Sequence, residues 1–175
     1  MQDVSPRRRF AMMAAMVLSS LMASLDSSFV PLAFPDMIAK LKTSTGVVVW
    51  VALGYLVAAT GPMLMAARIG DRVGLARMFQ IGTVIYAASM VACAWAPDLP
   101  ALIALRLVQG VGMAIFLPCT FAIATLIHPE AQRGKALGIL QSANAAGFVL
   151  GPVFAGFLLD AYDWRALFSS RVPLG

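Results

Sequence analysis

The sequence predicts an all-α membrane protein of five transmembrane helices plus the start of a sixth, on three observations. Five apolar stretches occupy about residues 10–34, 47–65, 78–96, 101–127 and 136–159. Each has about 20 residues or more, enough for a helix rising ~1.5 Å per residue to cross a ~30 Å hydrocarbon core. Apolar residues make up 61% of the 175-residue chain and charged residues only 12%, against about 25% charged in a soluble domain. The net charge of +5 is spread over short segments between the stretches. It is not gathered on one helical face, which argues for membrane orientation and against nucleic-acid binding.

Residues 1–9 form a basic N-terminus ending in Arg7, Arg8 and Arg9, and residues 10–175 form the bundle. A basic run before an apolar one is also the pattern of a signal peptide. Here the run exceeds a usual signal-peptide core and four more stretches follow, so it reads as the first span. With the N-terminus in the cytoplasm, the inside segments hold Arg7, Arg8, Arg9, Arg68, Arg72, Arg77, Arg133 and Lys135. The outside segments hold only Lys40, Lys42 and Arg165, a positive-inside bias. Residues 35–46 are expected to be the longest outside loop and 66–77 a short charged inside loop. Pro97 and Pro100 mark a tight outside turn at 96–100, and His128-Pro129-Glu130 opens the next inside loop. Tyr162 and Trp164 fall at the depth of an interfacial aromatic belt. A sixth span begins at about 166–175, and the chain stops at Gly175, as a fragment lacking its C-terminal half would.

Cys93 and Cys119 both lie inside apolar stretches, as small packing residues do. His128 is the single histidine. No nucleophile–base pair or metal spacing accompanies it, so neither an enzyme nor a metal or cofactor is expected.

Function must then be read from the polar residues placed in lipid. Asp26 is a carboxylate well inside the first stretch. Burial disfavours its charged form, which suits a group that binds and releases protons near neutral pH; alternatively it bonds neighbouring hydroxyls and serves packing. Arg106 lies inside the fourth stretch, where an arginine costs about 2.5–3.5 kcal/mol on insertion scales. With Gln109, Gly110 and Met113 it shares one helical face, expected to look into a protein cavity. The other reading has it snorkelling to headgroups from near Pro100. In the fifth stretch Ala143, Gly147, Gly151 and Ala155 recur every fourth residue, a stripe against which another helix can pack closely. Pro152 should bend that helix. In the inside loop, Gly70 and Gly74 allow a tight reversal around Asp71.

Four segments carry a family resemblance. Ala67-Arg68-Ile69-Gly70-Asp71-Arg72-Val73-Gly74-Leu75-Ala76-Arg77 resembles the G-x-L-A-D-R-x-G-R-K-x signature between helices two and three of the major facilitator superfamily. Its Asp-Arg-x-Gly centre is intact, while Leu75-Ala76 replaces the usual basic pair and leaves Arg77. Leu102 to Gly112 matches the form L-x-x-x-R-x-x-Q-G-x-G, in which the arginine, here Arg106, is tied to proton transfer. Gly147-x-x-x-Gly151-Pro152-x-x-Ala155-Gly156 is similar to the G-x-x-x-G-P-x-x-G-G signature of exporters, with Ala155 in place of a glycine. Leu25-Asp26-Ser27-Ser28-Phe29-Val30-Pro31-Leu32-Ala33-Phe34-Pro35 resembles the L-D-x-T-I-V-N-V-A-L-P segment of the multidrug:proton antiporter branch, usually built from fourteen helices. Pro31 stands where that family has Asn, and Arg171 replaces an Asn expected at the start of helix six.

The resemblance implies the N-terminal half of a proton-coupled secondary transporter. It would export drug-like or cationic amphipathic compounds by alternating access. Asp26, Arg106 and Gln109 would handle protons or substrate, and Asp71, Arg72, Gly74, Arg77 and Arg133 would form a cytoplasmic latch. Gly147, Gly151, Pro152 and Gly156 would form the antiporter helix motif. Small-molecule substrate, protons, membrane lipids and the absent C-terminal half are the implied partners, and the cell membrane the location. A twelve-helix metabolite or sugar transporter and a non-transporting membrane fragment are the alternatives.

Overall fold

The computed structural model describes residues 5–170, all of whose regular elements are helices. Lipid offers a backbone no hydrogen-bond partners, so apolar runs of this length satisfy their amides internally as helices. Helix α1 spans Pro6–Phe29 and is followed by a 3-10 turn at Val30–Ala33. Pro31 interrupts the α-helical ladder there, having no amide hydrogen to give. The chain resumes at once as α2, Phe34–Leu41. Pro35 opens α2, Asp36 and Lys40 pair at 3.1 Å along it, and Lys42 ends it in the left-handed region at φ 49°. The expected outside loop at 35–46 is therefore mostly helix, because a proline inside the first turn starts a helix as readily as it breaks one.

The second span is three pieces: α3, Thr45–Val48, α4, Trp50–Thr60, and α5, Met63–Val73. It bends by 43° where Gly61-Pro62 separates α4 from α5, since Pro62 takes one bond out of the ladder. Helix α5 runs on through Asp71 and Arg72, so the charged loop expected at 66–77 contracts to Gly74. Of the two glycines expected to reverse the chain only Gly74 does so, at φ 106°, a conformation that side chains resist. Gly70 stays helical, and a Cβ there would sit 3.5 Å from Cys119 Sγ of the neighbouring helix.

Helix α6 covers Leu75–Ala94 and α7 Leu99–Ile127. The turn between them falls at the expected prolines, and Asp98 caps α7 by accepting from the Ala101 amide at 2.8 Å. Helix α8 runs from Glu130 to Ala161 without a break at Pro152, and α9 covers Trp164–Ser169. Arg171 lies outside the described residues. Four of these helices are long and apolar enough to cross a membrane, five if the bent pair counts as one span. The chain is an all-α membrane bundle.

Helix α7 is the central element, packed along its length on α6 and α4, while α1 packs on α8. One buried cluster around Leu25, Phe29, Leu102, Trp164 and Phe168 fills the end where α6 meets α7. Another around Met16, Met78, Ile123 and Leu140 fills the basic end. Between them Tyr86 meets Phe116 edge-to-face, ring centroids 5.5 Å apart. Phe148, Val153 and Phe157 of α8 and Leu56 and Val57 of α4 are exposed, as suits sides turned to lipid or another bundle.

Candidate functional site: a buried ion pair and a polar cleft

Asp26, in the last turns of α1, meets Arg106, in the third turn of α7. Arg106 Nη1 donates to Asp26 Oδ2 and, at 2.8 Å, to Gln109 Oε1. Asp26 and Arg106 are each 1% exposed and Gln109 is 0% exposed. Arg106 thus does not snorkel to a headgroup, because Asp26 supplies the counter-charge inside the bundle. Of the face expected to look into a cavity, Arg106, Gln109 and Gly110 are instead buried against neighbouring helices, and Met113 lines a cavity. A Cβ on Gly110 would run into the Tyr55 carbonyl, so only glycine lets α4 approach so closely.

Two rings complete the surroundings of the guanidinium. Its central carbon lies 5.4 Å from the Tyr55 ring centroid and 4.9 Å from that of Phe168, within range of a cation–π contact. The Tyr55 hydroxyl donates to Met113 Sδ at 2.7 Å, which fixes the ring. Helices α1, α4, α7 and α9 therefore converge on one charge. Removing one partner of such a pair leaves an uncompensated buried charge, at a cost of about 3–5 kcal/mol.

The small-residue stripe of α8 lies on α1. A Cβ at Gly147 would come 2.7 Å from Leu21 O, and one at Gly151 would overlap Ser28 Oγ. Ser28 Oγ donates across the contact to Gly147 O at 3.3 Å. Ala155 continues the buried line, whereas Pro152 and Gly156 are exposed. Of the four predicted motif residues, Gly147 and Gly151 make the contact.

The predicted latch residues lie together at the basic end but are not joined. Asp71, Arg72, Gly74, Arg77 and Arg133 are all exposed. Asp71, Gly74 and Arg77 line a concavity with Ile123 and Leu126 of α7. Arg133 Nε instead donates to Thr125 O at 3.0 Å, and among the described residues no ion pair links Asp71 to an arginine.

At the other end Lys40 bridges Asp36 and Asp163, each at 3.1 Å, and the Trp164 amide donates to Asp36 at 3.1 Å. Partial burial opposes ionisation of Asp163, but the Lys40 hydrogen bond and charge outweigh it and hold the carboxyl below its ordinary value. Arg165 stacks on Trp164 at 4.3 Å.

A polar cleft between α1, α7 and α8 was not foreseen. Ser24 Oγ donates to Asn144 Oδ1 at 2.6 Å, and Asn144 Nδ2 to Gln141 Oε1 at 3.1 Å. These residues line a cavity of about 540 Å³ with Ser27, Met113 and Phe148. The available signal was the pair of amides, three residues apart, inside a membrane span.

Long apolar helices packed around a fully buried, hydrogen-bonded ion pair define a multi-pass membrane protein with a charge pair in its interior. Residues 16–174 match the Major Facilitator Superfamily, and the chain belongs to that family of membrane transporters. It is 37% identical over 161 residues to an uncharacterized MFS-type transporter of Mycobacterium tuberculosis, covering 92% of this chain and 28% of the relative. It is 28% identical to the riboflavin transporter RibZ of Clostridioides difficile, covering 97% of the chain and 37% of the relative. It is 30% identical to the methylenomycin A resistance protein of Streptomyces coelicolor, covering 92% and 34%. The chain thus spans 28–37% of the length of these curated relatives.

Proposed function

We propose that this chain is the N-terminal bundle of a proton-coupled exporter of amphipathic, drug-like compounds, set in the cell membrane with its N-terminus in the cytoplasm. The observation that carries the reading is the Asp26–Arg106 pair, 1% exposed on both sides and reaching across two helices. A proton taken up by Asp26 neutralises the carboxylate and leaves Arg106 to Gln109 Oε1 and the two rings. The lost charge balance favours a rearrangement of α1 against α7, and release of the proton on the other side restores the pair. Coupled to a second bundle, such a rearrangement gives alternating access, with substrate moving out as protons move in. The close α1–α8 contact through Gly147 and Gly151 supports this, since packing so tight resists separate movement of the two helices.

Resistance is the named role of the methylenomycin A relative, which favours export. The riboflavin transporter among the relatives favours a second reading, passage of a metabolite. Export driven by a pH gradient, measured in the full-length transporter with Asp26→Asn, tests the proposal. The substitution is expected to abolish gradient-driven export while membrane levels hold. Undiminished export at neutral pH removes Asp26 from the coupling.

A further inference from the structure

We propose that the cleft between α1, α7 and α8 selects uncharged aromatic compounds bearing carbonyl and hydroxyl groups, and discriminates against lipophilic cations. The inference rests on the export reading and specifies its substrate class. Two turns of helix meet side by side to form the polar part of the lining. Ser24 and Ser27 project from α1, and Gln141 and Asn144 from α8, each pair three residues apart and so on one face.

Their hydrogen bonds set what is left for a ligand. Ser27 Oγ donates to its own helix at Ala23 O, 3.0 Å away, and Ser24 Oγ donates to Asn144. The Asn144 amide in turn donates to Gln141 Oε1. The carbonyl oxygens of both amides are thereby engaged, while the Gln141 NH₂ and the second Asn144 hydrogen remain as donors. The serine oxygens keep lone pairs free to accept. This array fits a solute that presents carbonyl acceptors beside a hydroxyl donor. Met113, Leu117, Phe121 and Phe148 supply the apolar remainder of the lining, with the Met113 thioether able to adapt to ring edges. A volume of about 540 Å³ lies in the range of drug-sized sites.

A cation finds no counter-charge on this wall of the cleft. Among the described residues no acidic side chain lines the cleft. Asp26, next to Ser27 in sequence, is turned the other way onto Arg106 and is 1% exposed. The amide hydrogens left free on Gln141 and Asn144 present positive ends to a solute, which disfavours a cation beside them.

The test uses the full-length transporter in proteoliposomes under an imposed pH gradient, with two probes. Chloramphenicol is neutral, aromatic and rich in hydroxyl and carbonyl groups, and ethidium is a permanent cation. Wild type is expected to move chloramphenicol much faster than ethidium. Gln141→Leu, at an exposed position where folding is not at stake, and Asn144→Leu should each lower chloramphenicol flux about three- to tenfold, the worth of a hydrogen bond. Asn144→Asp should raise ethidium flux. Ethidium favoured over chloramphenicol by wild type, or chloramphenicol flux untouched by both leucine variants, would overturn the inference. The two readings separate cleanly. Gradient-driven ethidium transport without chloramphenicol transport sinks the substrate class and leaves proton-coupled export standing. Gradient-independent chloramphenicol flux that both leucine variants reduce upholds the substrate class and sinks the coupling.

Discussion

Arg106 is the residue on which the interior depends, and its planar fork explains why. One Nη1 reaches both Asp26 and Gln109, while the guanidinium face lies near Tyr55 and Phe168. A lysine ammonium carries the same charge without the flat face or the fixed fork. Arg106→Lys is therefore expected to cut export by roughly tenfold or more, as loss of a charge-assisted network does, with normal amounts in the membrane. Export at the wild-type rate would show that only the charge matters. Asp26 and Arg106 were each legible in sequence as charges inside apolar stretches. Their pairing was not, because it joins residues 80 apart and depends on how α1 leans on α7. The rings of Tyr55 and Phe168 left no trace in the sequence, since aromatics in a span usually pack or face lipid. Gln141 and Asn144 could have been found, being amides in a span, but the glycines around them drew attention to packing instead.

At the scale of the element, α8 is bound to α1 by contact too close for any side chain. Gly151→Leu forces the helices apart where lipid offers no hydrophobic compensation. It should abolish export in a protein that still inserts, and retained export would mean the α1–α8 contact is dispensable. Asp71→Asn is expected to shift the population toward the inward-facing state, read as altered cysteine labelling from each side; unchanged labelling would count against a latch. The clamp of Lys40 on Asp36 and Asp163 has a defined pH window. Asp163 ionises below its unfolded value, about 3.9 for an aspartate, so its contribution is complete above about pH 4 and is lost as pH falls through the folded value. Proteolysis near residues 41–46 should stay constant from pH 8 to 5 in wild type and rise at neutral pH in Lys40→Met. Helix positions were largely legible, down to the turn at 96–100, although the cap that Asp98 provides there was not read. The helical stretch at 34–41, the bend at Gly61-Pro62 and the contraction of the inside loop to Gly74 were not. Proline and glycine mark a change of direction without saying whether the helix stops, starts or bends there.

At the scale of the whole molecule, the bundle presents exposed apolar sides on α4 and α8 and a polar cleft between α1, α7 and α8. Alternating access needs a second bundle against this surface, so residues 1–175 alone are not expected to carry substrate across a liposome membrane. Gradient-driven flux by that chain above empty liposomes would instead point to pairing of two copies. The central claim is that substrate leaves as a proton enters through Asp26. Its most direct test is the pH inside proteoliposomes holding the full-length transporter, followed with an entrapped dye as substrate is added on one side. The account predicts a proton flux that begins with substrate in the wild type and is absent in Asp26→Asn. Substrate movement without any proton flux, or an equal proton flux in Asp26→Asn, would contradict it.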